Sequence, residues 1–308
     1  NAKLRVVTED VGGAFGLKTG PYPEYIAILV AAKKIGRPVH WMSSRSESFL
    51  SDNHARDAYS DVELALDARG KFLALRIRHL GAMGAYIGPV GANIQTWNLT
   101  RCLPGMYDIP LIDIESKFVF TNTVQTAPYR GAGRPEANYI LERVIDEAAR
   151  ITGIDPVKLR RRNLIKPKAL PYKTAVGTTI DSGEFEVILD KALELADYDG
   201  FKQRRREAAK RGKYRGLGIS CMLEHAGGFP IEGTYITFPG GNRLLFNLNV
   251  QSTGQSHATV FNPMVAEQFG IEAAKVEHRH GDSAMETAGY ASVGSRSAMT
   301  VSHAMIKT

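Results

Sequence analysis

The stretch "VELALDARGKFLALRI", residues 62–77, sets the fold class that we expect for this chain. Val62, Leu64 and Leu66 alternate with polar or small residues, and a second alternating run follows Gly70. Alternation with a period of two predicts half-buried strands, and a glycine between two such runs predicts the turn of a β-hairpin. Outside this stretch, helices and strands mix without a strict βαβ rhythm, so we predict an α+β fold rather than a doubly wound parallel sheet.

The remaining pattern predicts two mixed α/β subdomains. Helices are predicted at 23–36, from about 136 to 148, from 155 onward, at roughly 184–197 and at 262–270, the last with Asn262 and Pro263 at its start. Strands are predicted at 4–10, 112–120, 217–224 and 242–250. The basic, apolar-poor stretch 201–215 is the expected boundary, which gives domains at 1–205 and 206–308, the second one incomplete.

Composition excludes several classes of protein. The chain has 308 residues, of which 44% are hydrophobic and 23% are charged, as in ordinary globular proteins. No apolar run is long enough to cross a bilayer, so we expect no membrane partner. The two cysteines, Cys102 and Cys221, are too few for a disulfide framework or for an iron–sulfur cluster within this chain, and a reducing cytoplasm is the expected compartment.

The net charge of +7 is concentrated in the segments 158–163 and 202–215. Such segments suggest a patch for nucleic acid or for an acidic partner. The alternative is a solvated helix face followed by a basic connector. Aromatic residues are not interleaved with the arginines, as a platform for stacking bases would require. We therefore favour the solvated face and do not expect nucleic-acid binding.

Four loops contain more glycine and short polar residues than a connection needs. They are "VGGAFGLK" (11–18), "APYRGAGRPEA" (127–137), "QSTGQSHATVFNP" (251–263) and "GDSAMETAGYASVGSRSAM" (281–299). The first fits the spacing of neither a P-loop nor a dinucleotide fingerprint, but its bare backbone lets main-chain N–H groups approach a ligand. In the second, Arg130 and Arg134 flank a turn and could anchor an anionic or carbonyl group. The third and fourth offer neutral donors that suit phosphate and sugar oxygens.

Histidines do not predict a metal site. His257 has no second histidine or cysteine at ligand spacing. His278 and His280 lie two residues apart and would share one face of a strand, but no further ligand accompanies them. We therefore expect no metal to be held directly by side chains.

The order of the four loops resembles the molybdenum-carrying large subunit of the xanthine dehydrogenase and aldehyde oxidase family, in the branch similar to the carbon monoxide dehydrogenase large chain. The resemblance covers essentially the whole chain and implies the fold of that family's cofactor-binding domain. It implies molybdopterin cytosine dinucleotide with molybdenum as the cofactor, and Phe15 and Arg130 as substrate-pocket residues. The cofactor-binding residues that it implies are Gly13, Ala14, Phe15, Gly16, Gln251, Gly254, Gln255, His257, Thr259, Ser295, Arg296 and Ser297.

The resemblance also carries departures. Carbon monoxide dehydrogenases resemble "AYRCSFR" where this chain has Gly131, so the thiol that would hold copper is missing and an aldehyde or N-heterocycle is the expected substrate. The family's general base is a glutamate near the end of the subunit, and neither Glu224 nor Glu286 stands in its context. We therefore expect no catalytic residue here, an inactive portion of an enzyme, and partner subunits that carry iron–sulfur clusters and FAD in an oligomer. A basic nucleic-acid-binding module and a scaffold without cofactor are the alternatives.

Overall fold

A computed structural model describes residues 4–9, 11–227, 231–285 and 288–307. The chain divides into two compact units. The large unit is Gly20–His225, and the small unit combines Asn1–Thr19 with Ala226–Thr308. Each unit has its own sheet, helices and hydrophobic core, which confirms the predicted α+β class.

The predicted hairpin forms the sheet of the large unit. Strand β1 (Ala58–Leu66) pairs with β2 (Phe72–Ala82) in antiparallel register, with Val62 opposite Ile77. Gly70 takes a positive φ of 78° in the turn, a conformation that glycine adopts without steric cost. Strand β3 (Leu111–Val119) lies parallel to β2, so the sheet has the order β1-β2-β3. A short hairpin of β4 (Tyr172–Lys173) and β5 (Thr179–Ile180) follows.

The large unit also contains helices of very different lengths. They are α1 (Pro23–Ile35), α2 (Arg45–Ser51), α3 (Gly91–Asn93), which continues through a π-helical segment (Ile94–Asn98) into α4 (Leu99–Arg101), α5 (Arg134–Thr152), α6 (Pro156–Asn163), α7 (Phe185–Leu195), α8 (Phe201–Lys210) and a 3₁₀ turn at Pro167–Ala169. The Asp155 carboxylate accepts from the backbone N–H of Lys158, 2.9 Å away, so Asp155 is the N-cap of the helix predicted from 155 onward.

Helices α5 and α6 meet over a buried arginine. The Arg160 side chain is fully buried and donates to Glu142 of α5 at 2.9 Å and to Asp146 at 2.8 Å. It also reaches the carbonyl of Ile219 at 3.2 Å. Its neighbour Arg161 pairs with Glu186 at 3.2 Å. The basic segment 158–163 is therefore not the solvated face that we expected, because two of its arginines form ion pairs within the unit.

One prediction for the large unit is wrong, and the predicted boundary segment is partly helical. Residues 217–224 belong to no strand or helix within the described residues. Side chains bind their backbone instead, since Asn138 contacts both the N–H and the carbonyl of Leu223 and Arg160 binds the carbonyl of Ile219. The connector expected at 201–215 begins as helix α8.

The small unit packs two helices against a sheet. Strands β6 (Thr234–Gly240), β7 (Arg243–Leu248) and β8 (Val276–Arg279) have the order β6-β7-β8, with β6 antiparallel and β8 parallel to β7. The helices are α9 (His257–Phe269) and α10 (Ser297–Lys307), and 3₁₀ turns lie at Leu17–Thr19 and Ala273–Lys275. The alternating residues of β7 are buried against Phe261 and Val265 of α9, as its pattern predicted.

Two boundaries in the small unit differ from the prediction. The expected strand at 4–10 is reduced to one bridge, Val7 to Asp282, within its described residues. Helix α9 begins at His257 rather than at 262, and Pro263 lies inside it. Ser256 takes a left-handed φ of 59°, which marks the turn where the helix starts.

The two units also differ from the sequential division at residue 205. The first 19 residues belong to the small unit, and residue 205 lies inside α8 of the large unit. The N-terminal segment is held by a hydrogen bond from the N–H of Thr8 to the carbonyl of Gly281, at 2.6 Å, and by one from the N–H of Ser283 to the carbonyl of Val6, at 2.9 Å. These bonds join the two ends of the chain in one unit.

Candidate cofactor site

The glycine segment of residues 11–18 folds around Phe15. Gly13, Phe15 and Gly16 have φ values of 102°, 51° and 102°, whereas Ala14 does not have a positive φ. A β-carbon at Gly13 would lie 2.5 Å from the Phe15 ring, so the ring requires glycine there. The Lys18 ammonium donates to the carbonyl of Gly13 at 2.8 Å and closes the turn. The Phe15 ring remains 55% exposed, which leaves an apolar surface beside bare backbone.

Three of the four loops come together within the small unit. The side-chain amide of Gln251 donates to the carbonyl of Thr8 at 3.4 Å. The position of a β-carbon on Gly254 would be 3.9 Å from the carbonyl of Val11. The amide of Gln255 donates to Ser292 Oγ at 2.8 Å. The segments 11–19, 251–256, 281–285 and 288–297 therefore form one cluster, which we call the loop cluster.

An ion pair supports the base of the loop cluster. The Arg5 guanidinium donates to Asp282, with Nε 2.9 Å from Oδ1. Asp282 also accepts from the N–H of Ala284 at 3.0 Å. These hydrogen bonds, with that from Arg5 the largest cause, lower the pKa of Asp282 to about 2. Asp282 is thus an ionised residue that orders the loop.

Gln255 is exposed, and its side chain connects three parts of the loop cluster. Its Oε1 accepts from the N–H of Thr253 at 2.5 Å, while its Nε2 donates to the carbonyl of Gln251 at 3.3 Å. Gly254 next to it is exposed and has a φ of 107°. Thr259 is exposed on the first turn of α9. In this arrangement Gln255 shapes the backbone, and Gly254 and Thr259 are the members of this segment open to a ligand.

His257 lies beneath the loop cluster rather than on it. The residue is 4% exposed, and its ring packs 5.2 Å from Phe261 and 6.3 Å from His278, measured between ring centroids. The His280 ring lies 5.0 Å from that of His278, with the two ring planes tilted by 48°. Burial, followed by the charge of His280, lowers the pKa of His257. No group of three or more His, Cys, Asp or Glu residues could hold a metal ion in the described part of the chain.

The serines and the arginine of residues 295–297 take different positions. Ser295 is exposed with a φ of 58°, and Ser297 begins α10, with its hydroxyl 2.8 Å from that of Ser292. Arg296 is fully buried and pairs with Glu232 at 2.9 Å, a carboxylate that is itself 1% exposed. Its Nη2 also donates to the carbonyl of Ile231 at 2.7 Å. The Arg296 guanidinium therefore fixes the loop from below, and the two serines carry the accessible hydroxyls.

Arg130 belongs to the large unit, whereas the other predicted residues belong to the small unit. It is exposed at a turn in which Gly131, Ala132 and Gly133 all have a positive φ, of 97°, 44° and 93°. Arg56 holds this turn, because its Nη2 donates to the carbonyls of Tyr129, at 3.1 Å, and Arg130. The Arg56 guanidinium also lies over the Tyr129 ring, 5.0 Å from its centroid.

Arg134 holds the same turn from its other side. Its Nε donates to the carbonyl of Gly131 at 2.7 Å and its Nη1 to the carbonyl of His225 at 2.6 Å. Glu224 lies 3.3 Å from its guanidinium, so this carboxylate is an ion-pair partner. Burial and the charge of Arg101 lower the pKa of His225. Arg134 is therefore a structural residue of the turn, and Arg130 is the arginine it presents.

Sequence reasoning missed the partners of these arginines. Arg56 is 73 residues from Tyr129, and Glu232 is 64 residues from Arg296. No local motif marks either partner. The available signal is chemical, because a buried arginine requires a carboxylate or several carbonyls nearby.

Comparison with known proteins agrees with this geometry. Residues 1–164 match one model of the molybdopterin cofactor-binding domain, and residues 191–308 match a second model of that description. The chain therefore belongs to the molybdopterin cofactor-binding family, with relatives among carbon monoxide dehydrogenase large chains and xanthine dehydrogenase molybdenum-binding subunits. The family predicted from the order of the four loops is confirmed.

Two curated relatives illustrate the extent of the match. The carbon monoxide dehydrogenase large chain of Hydrogenophaga pseudoflava is 31% identical over 96% of this chain and 39% of its own length. The nicotine 6-hydroxylase large subunit of Paenarthrobacter nicotinovorans is 29% identical over 97% of this chain and 38% of its own length. The chain thus spans about two fifths of these molybdenum-family large subunits.

A solved structure confirms the fold. The crystal structure of quinoline 2-oxidoreductase from Pseudomonas putida 86 superposes with a TM-score of 0.91 at 30% identity, over 98% of this chain and 41% of that one. Among the described residues, no helix is long and apolar enough to cross a membrane.

Proposed function

We propose that this chain is the cofactor-binding portion of a molybdenum hydroxylase and that its loop cluster binds molybdopterin cytosine dinucleotide. The observation that carries the proposal is the meeting of three separate glycine- and serine-rich loops in the small unit. The family membership supports a molybdenum–molybdopterin cofactor. The cytosine form is an inference from the resemblance to the carbon monoxide dehydrogenase branch.

The chemistry of the loop cluster fits a phosphate-bearing ligand. Its accessible donors are the hydroxyls of Ser295 and Ser297 and the backbone beside Gly254. The carboxylates of Asp282 and Glu232 would repel phosphate, but each is neutralised by an arginine, Arg5 and Arg296 respectively. The N-terminus of α10 at Ser297 adds the positive end of a helix dipole. A dinucleotide therefore meets neutral and positive groups.

The chain's residues would bind and orient rather than react. When bound, the cofactor supplies two-electron oxidation of the substrate with an oxygen atom from water. The half-exposed Phe15 would form an apolar wall, and the backbone at Ala14 and Gly16 would lie against the cofactor. Arg130 would anchor a carbonyl or anionic group of the substrate from a turn held by Arg56 and Arg134.

An aldehyde or N-heterocycle is the substrate class that we propose. Gly131 has a φ of 97°, and a β-carbon there would lie 2.5 Å from the Pro135 ring. A cysteine at this position would strain the turn, which disfavours a copper-bearing thiol and therefore carbon monoxide as substrate. The names of two similar proteins, nicotine 6-hydroxylase and quinoline 2-oxidoreductase, support an N-heterocycle.

The whole protein is proposed to work in the cytoplasm as part of an oligomer. Relatives are named as the large chain or large subunit of their enzymes, which supports partner subunits for electron transfer. We propose that these partners carry iron–sulfur clusters and FAD, since Cys102 and Cys221 are both free and buried. That the 308 residues by themselves oxidise no substrate stays a prediction.

The test measures molybdenum and released nucleotide in the full-length subunit, co-expressed with its partners. We expect about one molybdenum and one cytidine monophosphate per chain. Gly254→Ala, at φ 107° in the loop cluster, is expected to lower both several-fold. Gly240→Ala, at φ 96° and exposed at the end of β6, imposes similar backbone strain outside the cluster and should leave both unchanged. Wild-type protein without metal or nucleotide, from a host that makes the cofactor, would refute the proposal.

A further inference from the structure

Positive charge is most concentrated in residues 202–215, which we call the basic segment. It contains eight Lys and Arg residues and one Glu, a surplus of seven positive charges. The whole chain has a net charge of +7, so the residues outside this segment carry no net charge in total. A surplus placed at one site, rather than spread over the surface, produces a local field that attracts an oppositely charged partner.

Most of these charges have no carboxylate partner among the described residues. Arg204 pairs with Asp197 and also binds the carbonyl of Ala196 at 2.8 Å. Within the part of the chain that the structure describes, no carboxylate pairs with the other basic side chains of the segment, all of which are exposed. They are Lys202, Arg205, Arg206, Lys210, Arg211, Lys213 and Arg215.

Helix α8 is poorly supported by its own sequence. The structure describes all residues of α8, and of these only Ala208 is buried. Lys202, Arg206 and Lys210 follow one another at intervals of four and so lie on one face, where like charges repel. Within the helix, the side-chain amide of Gln203 donates a hydrogen bond to the Glu207 carboxylate at 2.9 Å. A helix that is polar on all sides and lacks stabilising ion pairs is typical of one that bridges to another molecule.

We propose that the basic segment docks an acidic surface on a partner protein subunit of the enzyme. This inference rests on the proposed function, which supplies the partner subunits. A second copy of this chain offers no matching surplus of negative charge. A membrane is disfavoured because α8 presents no apolar face, and single-stranded nucleic acid because Tyr214 is the one aromatic residue between Lys202 and Arg215.

The test uses the full-length subunit co-expressed with its partner subunits. Arg205→Glu, Arg206→Glu and Lys210→Glu together reverse the exposed face of α8. The matched control, Lys33→Glu, Lys34→Glu and Arg37→Glu, makes the same change in net charge at the exposed end of α1. Both complexes are examined by gel filtration at rising salt, with molybdenum measured in each fraction. A 20-base-pair DNA duplex is the probe for nucleic acid.

The reversed variant is expected to keep its molybdenum but to bind the partner subunits at least about tenfold more weakly, whereas the control binds as the wild type does. Wild-type binding should weaken as salt rises. If the reversed variant loses molybdenum as well, the milder Arg205→Gln, Arg206→Gln and Lys210→Gln variant is measured, and unchanged partner binding there contradicts the proposal. The proposal is also overturned if the reversed variant still forms the intact complex with the partner subunits. The same holds if the wild type binds the DNA duplex and the charge reversal abolishes that binding while the complex survives. Absence of molybdenum from the wild type would instead count against the proposed function.

Discussion

Each unit buries one arginine completely, and the two arginines serve different parts of the fold. Arg160 of the large unit contacts two carboxylates, Glu142 and Asp146, and joins α5, α6 and the chain at Ile219. Arg296 of the small unit contacts one carboxylate, Glu232, and the carbonyls of the loop that leads into α10. One arginine therefore connects helices, whereas the other shapes a loop.

The comparison teaches how burial changes the meaning of an arginine. Both residues stand in segments that suggested ligand binding: "KLRRRN" a polyanion and "GSRS" a phosphate. Each guanidinium is fully buried with its own carboxylate, so neither presents donors to a ligand in this arrangement. Ser295, the exposed neighbour of Arg296, and the exposed residues of α8 are the groups that we propose to contact partners.

The largest expected effect is that of removing Arg160. Arg160→Met leaves Glu142 buried without its cation, which should lower the free energy of unfolding of the large unit by about 3–5 kcal/mol. Urea unfolding followed by circular dichroism measures the change. The control is Lys158→Met, an exposed position on the same helix, where a change within about 0.5 kcal/mol is expected. Equal effects of the two variants would mean that the buried network contributes nothing specific.

Removing Arg296 should weaken the small unit by about 3 kcal/mol. Arg296→Met, Glu232→Gln and the double variant form a double-mutant cycle, and we expect a coupling energy of about 1–3 kcal/mol because the two side chains contact each other. Hydrogen exchange should rise in β6, β7 and α10 and stay unchanged in the large unit. Additive effects would contradict a structural ion pair and return Arg296 to the candidates for phosphate binding.

Local signals were sufficient to predict much of the fold. The hairpin at 62–77 and the cap at Asp155 depend on residues close in sequence, and both are present. Predictions that depended on distant partners were wrong. Residues 217–224 have the composition of a strand, but Asn138 and Arg160 take their backbone groups. Pro263 was placed at a helix start because the polar residues before it resembled a loop, yet α9 begins at His257 and carries Thr259 on its exposed side.

The candidate site was predictable to a similar degree. The order of the four loops identified the family, and three of them do meet in the small unit. Composition did not distinguish a presented side chain from a buried one, as His257 and Arg296 demonstrate. That distinction depends on tertiary burial, which neighbouring residues in the sequence do not determine.

Position 131 extends the comparison to the turn that presents Arg130. Gly131→Cys adds a β-carbon 2.5 Å from the Pro135 ring at a φ of 97°, and should lower the free energy of unfolding by about 2–3 kcal/mol. Gly177→Cys imposes a similar φ of 86° with no atom near the new β-carbon, so a loss of about 1 kcal/mol is expected there. Equal losses measured by urea unfolding would mean that Pro135 moves aside, and glycine at 131 would no longer argue against a thiol.

The smallest expected effect is that of acid, which should lower the stability of the small unit but not that of the large unit. Burial, and then the charges of His280 and His257, lowers the pKa of His278 from 6.5 to about 4. Between these values the unfolded chain binds a proton that the native chain does not. The stability of the small unit is therefore complete above about pH 6.5, falls as the pH drops and levels off below about pH 4, with a loss of about 2 kcal/mol after allowance for partial exposure.

Hydrogen exchange at pH 7 and pH 5 tests whether this loss belongs to the small unit. We expect faster exchange at pH 5 in α9 and β8, relative to the intrinsic rates, because His257 and His278 lie between them. His278→Leu should remove most of the difference, and His40→Leu, at an exposed position, should retain it. If His278→Leu keeps the full pH dependence, the acid sensitivity arises elsewhere. Helix α9 follows directly from the loop at 251–256. Acid that loosens this helix should therefore also raise hydrogen exchange at Gly254. We expect the loop cluster to weaken in this way before the contacts of the buried arginines are lost.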